Sequence, residues 1–366
     1  MARSGISDLP LHGGDAPKWL FTRMVKLASA ISEVIIDERG TKELIQRMSD
    51  PYWFQAYSCV LGFDWHSSGT TTVTCGAMKE AMNAHSDLGV AGGKGRTSRR
   101  TPVEISSWCR AHGVNERREN SLIHASKMSA KVDSAALQDG HQLYHHCLVF
   151  DRQGNWSVVQ QGMCETTGYA RRYQWFSGEL RHFVQEPHSA ICGSAMPIVL
   201  DMTARASEQA RKTSVDLVKE GVDHLGREVV VVKKGQSTLS EFAGEKPLKL
   251  HMPRDIDWDV LRKAYEVQPR DYEELIGIEG IGPSTVKALA MISELVYGTE
   301  ASWKDPVKFS FAVGGKDGVP FPVDRQAMDR STELLRAGIQ ESKLGHREKL
   351  EAIARLRRFV PPDLDR

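Results

Sequence analysis

Residues 127 to 161 concentrate side chains that can move protons or hold a phosphate. "HASKMSAKVD" carries Lys127, Lys131 and Asp133, "LQDGHQLYHH" carries Gln138, Asp139, His145 and His146, and Gln160 and Gln161 follow. Lys127 and Lys131 stand four apart on one helical face, where two cations repel unless a carboxylate or a phosphodiester lies between them. Aspartates grouped with a histidine near strand ends can hold a divalent cation that polarises a phosphodiester and supplies hydroxide. On that chemistry Asp64, Asp133 and Asp139 are candidate ligands for Mg²⁺ or Mn²⁺. His145 or His146 is a candidate ligand or general base, and Lys127 or Lys131 the cation facing the transition state. Simpler readings stand beside this one. Asp139 in "QDG" suits a turn, and strand alternation sends His145 and His146 to opposite faces, so at most one belongs to a site.

A second stretch, "LIGIEGIGPSTVKALA" at 275–290, packs Gly277, Gly280 and Gly282 into six positions before turning aliphatic. Glycines there let a backbone approach a phosphate closely. A phosphate-binding GxxxxGK[ST] loop is absent, and a dinucleotide GxGxxG needs a preceding strand where "PRDYEELI" reads as helix. The remaining reading is helix, tight glycine hairpin, helix, with Ile281 pointing back into the pair and Pro283 opening the second helix. Free amides around Gly280, Gly282, Ser284 and Thr285, with a helix dipole behind them and Lys287 following, make an anion site that holds DNA phosphates and reads no bases. Other basic residues suited to a backbone are Lys94, Arg96, Arg99 and Arg100 in "GVAGGKGRTSRRTP", and Arg171 and Arg172 before "YQWF". Aromatics beside arginines can also stack unpaired bases.

The hairpin and the following "FSFAVGGKDGVPFPVDRQAMD" resemble the helix–hairpin–helix DNA glycosylase superfamily. The resemblance places that family's hairpin glycines on Gly280 and Gly282 and its aspartate, which acts at the sugar, on Asp324. The lysine of lyase-capable members falls on Ser284, so the resemblance implies a monofunctional glycosylase. As a plain helix start, Asp324 would serve as an N-cap. Across its length the sequence is similar to a prokaryotic family known as domain of unknown function 763, through "LPLHGG", "SGTTT", "KVDSAALQDGHQLYHH", "NWSVVQQGM" and "GGKDGVPFPVDR". That resemblance implies no particular activity.

The elements that must position these residues follow from periodicity. Leu20, Met24, Leu27, Ile31, Val34 and Ile35 form one stripe of an opening helix that Asp15 can cap, and "TKELIQRM" is a second helix. "PYWFQAYSCVLGFDWH" is ambiguous, while the β-branched "SGTTTVTC" reads as a strand running into a helix from Ala77. Helices are expected at "PVEISSWCRAHG" and "ENSLIHASKMSAKVDSAAL", and a hairpin at "QLYHHCLVFDRQGNWSVVQQGM", with Gly154 at positive φ in its turn. After Thr203, "TARASEQARKTSVDLVKEG" is helical and "REVVVVKK" strand-like. Helices then follow at 255–266, 271–276, 283–297, 325–340 and 346–359. The expected class is α+β: a mixed α/β domain at 1–200 and a mostly helical domain at 201–366, carrying the hairpin at 271–297.

Composition bounds the function. The 366 residues carry a formal net charge of +1, so a nucleic-acid site must be a local basic patch. No apolar run reaches the roughly 18 residues of a membrane span, and the first residues lack the apolar core of a signal peptide, which points to the cytoplasm. The six cysteines are scattered without a CxxC pair, all before residue 200, so buried thiols are expected and neither an iron–sulfur cluster nor a nucleotide cofactor. The sequence thus points to DNA as partner and to a DNA-processing or repair enzyme, leaving oligomeric state open. A metal-assisted nuclease leads. A monofunctional glycosylase using Asp324 and a non-catalytic DNA-structure binder are the alternatives.

Overall fold

The computed structural model describes residues 9–11, 16–63, 67–242, 251–307 and 325–359. A short edge strand β1 (Leu9–Pro10) precedes helix α1 (Lys18–Arg39), whose Met24, Leu27, Ile31 and Ile35 are buried along one stripe. Gly40, at φ 84°, turns the chain into α2 (Thr41–Ser49). The aromatic stretch resolves as α3 (Pro51–Leu61), because the Asp50 carboxylate accepts the amides of Tyr52 and Trp53 and Pro51 fills the first turn.

"SGTTTVTC" is not a strand but the first part of α4 (Ser68–Ala81). Ser67 and Thr70 form a reciprocal cap, and the Thr74 hydroxyl donates to Ser58 Oγ at 2.9 Å. A few tenths of a kcal/mol per threonine is all that propensity sets against a helix, and these contacts outweigh it. "REVVVVKK" is likewise helical, inside α8 below.

The glycine loop begins as strand β2 (Leu88–Lys94) and continues as a 3-10 turn, Gly95–Arg100. Next come α5 (Thr101–Ala111), α6 (Glu116–Lys131) and a π-turn over Val132–Ala136. Strand β3 (Leu137–Gln138) leads into the expected hairpin of β4 (Gln142–Asp151) and β5 (Trp156–Cys164), with Gly154 at φ 90°. Then follow β6 (Tyr169–Phe176), β7 (Ala190–Cys192) and β8 (Leu200–Asp201). Helices complete the chain: α7 (Glu208–Glu220), α8 (Val222–Phe242), α9 (Trp258–Val267), α10 (Tyr272–Gly277), α11 (Pro283–Leu295), α12 (Arg325–Glu341) and α13 (His346–Phe359).

The main sheet is antiparallel, in the order β1-β6-β5-β4-β2, with β7 also on β6. Strand alternation gives it two buried faces. Leu148, Phe150, Trp156, Val158 and Trp175 enter a core shared with α5, α6, α7, α9, α10 and α11. Cys147, Val149, Val159 and Phe176 enter a second core shared with α1 to α4, α12 and α13. The molecule is therefore of the α+β class. Each core takes residues from both sides of position 200.

Candidate nucleic-acid interface and the polar layer beneath it

The glycine stretch forms a helix, a turn and a helix. Asp271 caps α10 by accepting the Glu274 amide at 2.9 Å, and the chain reverses over 278–282 into α11. Ile281 is fully buried, as its place in the turn requires. Gly280 sits at φ 94°, and a Cβ there would lie 2.5 Å from Val260 Cγ2. Gly282 is extended, with φ −120°, and a Cβ there would come no closer than 3.7 Å to a neighbouring atom outside its adjacent residues, Gly280 O. The amides of Ser284 and Thr285 begin α11 without an intrahelical acceptor, and Pro283 occupies its first position. Thr285 is buried, while Gly280 is exposed and Gly282 and Lys287 are half-buried.

This turn is bolted to the 127–139 region. Gln138 Nε2 donates to Pro283 O at 2.8 Å, and Gly277 lies against Met128 Sδ. Lys127 and Lys131 end α6 beside it, the first exposed and the second half-buried. Burial pulls the Lys131 ammonium down from its usual pKa, and Glu279 of the turn pushes it back.

Beneath α6 the sheet face is polar. Asp133, on the π-turn, is fully buried and accepts Gln160 Nε2 at 2.5 Å, Trp175 Nε1 at 3.0 Å and His188 Nε2 at 2.5 Å. Gln160 thereby fixes a direction. Its Oε1 accepts from His146 Nδ1 at 2.8 Å, so His146 Nε2 takes the Ser126 hydroxyl, also at 2.8 Å. Burial drives the His146 pKa down to about 4. Burial pushes the Asp133 carboxyl up, with His188 opposing.

Asp139 organises a neighbouring group. One oxygen accepts Arg171 Nη1 at 2.8 Å and the Tyr173 hydroxyl at 2.7 Å; the other accepts the His141 amide at 2.9 Å. Burial raises this carboxyl, but His141 and Arg171 outweigh it and hold the pKa below the ordinary value. Arg171 is fully buried and also grips Asp305 at 2.7 Å and Ser194 O at 2.6 Å.

Several sequence expectations change here. Arg171 and Arg172 cannot track a DNA backbone, since both are fully buried on β6: Arg171 in its ion pairs, Arg172 on the opposite face, 4.5 Å over the Phe54 ring. The carboxylates of Asp133 and Asp139 are engaged by protein donors, which leaves them poor metal ligands. Among the described residues no three His, Cys, Asp or Glu side chains come together to hold a metal. Asp64 and Asp324 lie outside the described residues. His145 and His146 do face opposite sides, yet both are buried. Neither ring nitrogen of His145 has a hydrogen-bond partner among the described residues, and burial, with His146 and Lys94 adding to it, drives its pKa to about 3. A general base near neutral pH is therefore not what either histidine offers.

Lys94, at the end of β2, and Arg96, Arg99 and Arg100, on the 3-10 turn, are all exposed. The six cysteines are buried free thiols. Sequence reading missed His141, His188, Trp175, Tyr173 and Asp305. His141 stands inside "QDGHQL", where its closeness to Asp139 was a usable signal. Asp305 lies 134 residues from Arg171, and no spacing announces such a pair.

Among the described residues no helix is long and apolar enough to cross a membrane. No curated protein and no solved structure matches the chain, so the likeness of its hairpin to DNA glycosylases has no structural neighbour behind it. One family match covers residues 5–323, and the chain belongs to that family, described as "Protein of unknown function (DUF763)".

Proposed function

We propose that the protein binds DNA by its backbone phosphates and acts in DNA processing or repair. The observation that carries this reading is the turn between α10 and α11. It combines an exposed positive-φ glycine, an extended glycine, a proline in the first helical position and the free first-turn amides of a 13-residue helix. Such a constellation attracts an oxyanion through oriented N–H groups and the helix dipole, and it reads no bases. Asp133 and Asp139 serve as anchors of the layer under this surface, not as metal ligands, and the reading does not assign the chemistry to them. Cytoplasmic placement goes with this proposal.

The test is fluorescence anisotropy with labelled duplex, branched and single-stranded DNA, combined with product analysis in Mg²⁺, Mn²⁺ and EDTA. Gly282→Asp puts a carboxylate where the phosphate would sit, at a position whose backbone and surroundings accept a side chain. Binding at least tenfold weaker, with an unchanged thermal midpoint, is expected, because one charge-assisted contact becomes a repulsion. Wild-type protein that fails to bind DNA at low salt would overturn the proposal. Metal-dependent phosphodiester products would add a nuclease, abasic sites formed in EDTA a glycosylase, and neither product a binder.

A further inference from the structure

We infer that the basic turn at Gly95–Arg100 is a second phosphate-binding element, and that one DNA backbone runs from it across the end of α6 to the glycine hairpin. This inference rests on the DNA-binding reading above. Lys94, Arg96, Arg99 and Arg100 place four exposed cations within seven residues, and none forms an ion pair with another described residue. Glu104, on the next helix, does not neutralise them. Its carboxylate binds Lys79 at 2.7 Å and the Gly92 amide at 2.8 Å. The turn is also held in shape, with Ser98 Oγ donating to Gly95 O at 2.6 Å and Thr101 Oγ1 to Ser98 O at 2.7 Å. Cations on a fixed turn lose less entropy on meeting a polyanion than cations on a loose loop.

Placement joins the two elements. Thr101, directly after Arg100, packs its hydroxyl beside Gly92, where the strand passes the His146 carbonyl, and Ser126 holds the His146 ring at 2.8 Å. The start of α5 is therefore level with Ser126 and its neighbour Lys127. On the other flank of α6, His124 meets Glu273 of α10 at 2.9 Å, and Met128 meets Gly277 at the mouth of the hairpin. Lys127 and Lys131 thus stand between the basic turn and the hairpin, with Glu279 partly offsetting Lys131. Helices pack 8–10 Å apart, so α5, α6 and α10 together span roughly 16–20 Å. A few successive phosphates of one strand cover that distance.

Salt dependence tests the idea, because each phosphate neutralised contributes about 0.9 to the slope of log K against log salt. Arg96→Ala/Arg99→Ala/Arg100→Ala is expected to reduce that slope by about 2 to 3 on duplex DNA and to weaken binding more than tenfold near 50 mM salt. Lys127→Ala/Lys131→Ala is expected to reduce it by about 1 to 2. These side chains are exposed or half-buried, so circular dichroism should show wild-type melting. A triple variant that keeps the wild-type slope and affinity, while Gly282→Asp loses binding, would overturn this inference and leave the hairpin reading standing. Wild-type protein without salt-dependent DNA binding would overturn both.

Discussion

Asp139 and Arg171 are fixed by one another rather than by solvent. Each is buried, and the guanidinium is shared between Asp139 and Asp305. Asp139→Ala leaves a buried cation with one of its two carboxylates, and about 3–5 kcal/mol of stability should be lost, as for other buried pairs broken on one side. Urea unfolding measures this. A variant of wild-type stability that failed only on DNA would instead make Asp139 a working residue of the site. His145 and His146 give the molecule a pH dependence. Their folded pKa values, about 3 and about 4, lie below the ordinary histidine value. The unfolded chain therefore binds more protons below about pH 6.5, and stability is full above that pH and declines as pH falls toward 4. Each histidine is expected to cost about 2 kcal/mol by pH 5. Denaturant titrations at pH 7 and pH 5 check the sign, and His146→Gln should remove about half of the difference, leaving the His145 share.

At the scale of elements, the hairpin depends on Gly280 in two ways. Its φ of 94° disfavours any side chain, and a Cβ would strike Val260. Gly280→Ala should therefore destabilise by about 1–3 kcal/mol. Gly282→Ala, extended and uncrowded, should cost less, up to about 1 kcal/mol, because alanine is the poorer N-cap. Equal melting of the two variants would mean that the turn is not held as described. Strand β6 is the element the sequence hid best. "YARRYQWF" shows no apolar–polar alternation, because both its faces are buried and each arginine finds its partners far away in the chain. α4 shows the converse, since its threonines read as β until Ser67, Ser58 and the sheet beneath give them helical partners.

The whole molecule is held together by cores that ignore sequence order. Leu334, Leu335, Ile339, Leu344, Ala352 and Leu356, from the last two helices and the turn between them, are buried against α1 and α3, although this segment lies beyond the residues that the family match covers. Deleting everything after residue 324 exposes that surface, at roughly 1.5–3 kcal/mol for each large side chain uncovered. The truncated chain should unfold or aggregate, which size-exclusion chromatography and circular dichroism would reveal. A monomer that melts like the full chain would show that α12 and α13 are accessory.

By itself the sequence determined the features set by local chemistry: the α+β class, most helices, the β4–β5 hairpin with Gly154, and the glycine turn at 278–282. Periodicity, caps and glycine placement are short-range signals, and they survive folding. Tertiary structure alone decided which charged residues reach solvent. Arg96 and Arg171 look alike in the sequence, yet one is exposed on a turn and the other is sealed between Asp139 and Asp305. Desolvation must be balanced by partners far away in the chain, and only the packed sheet brings those partners within reach.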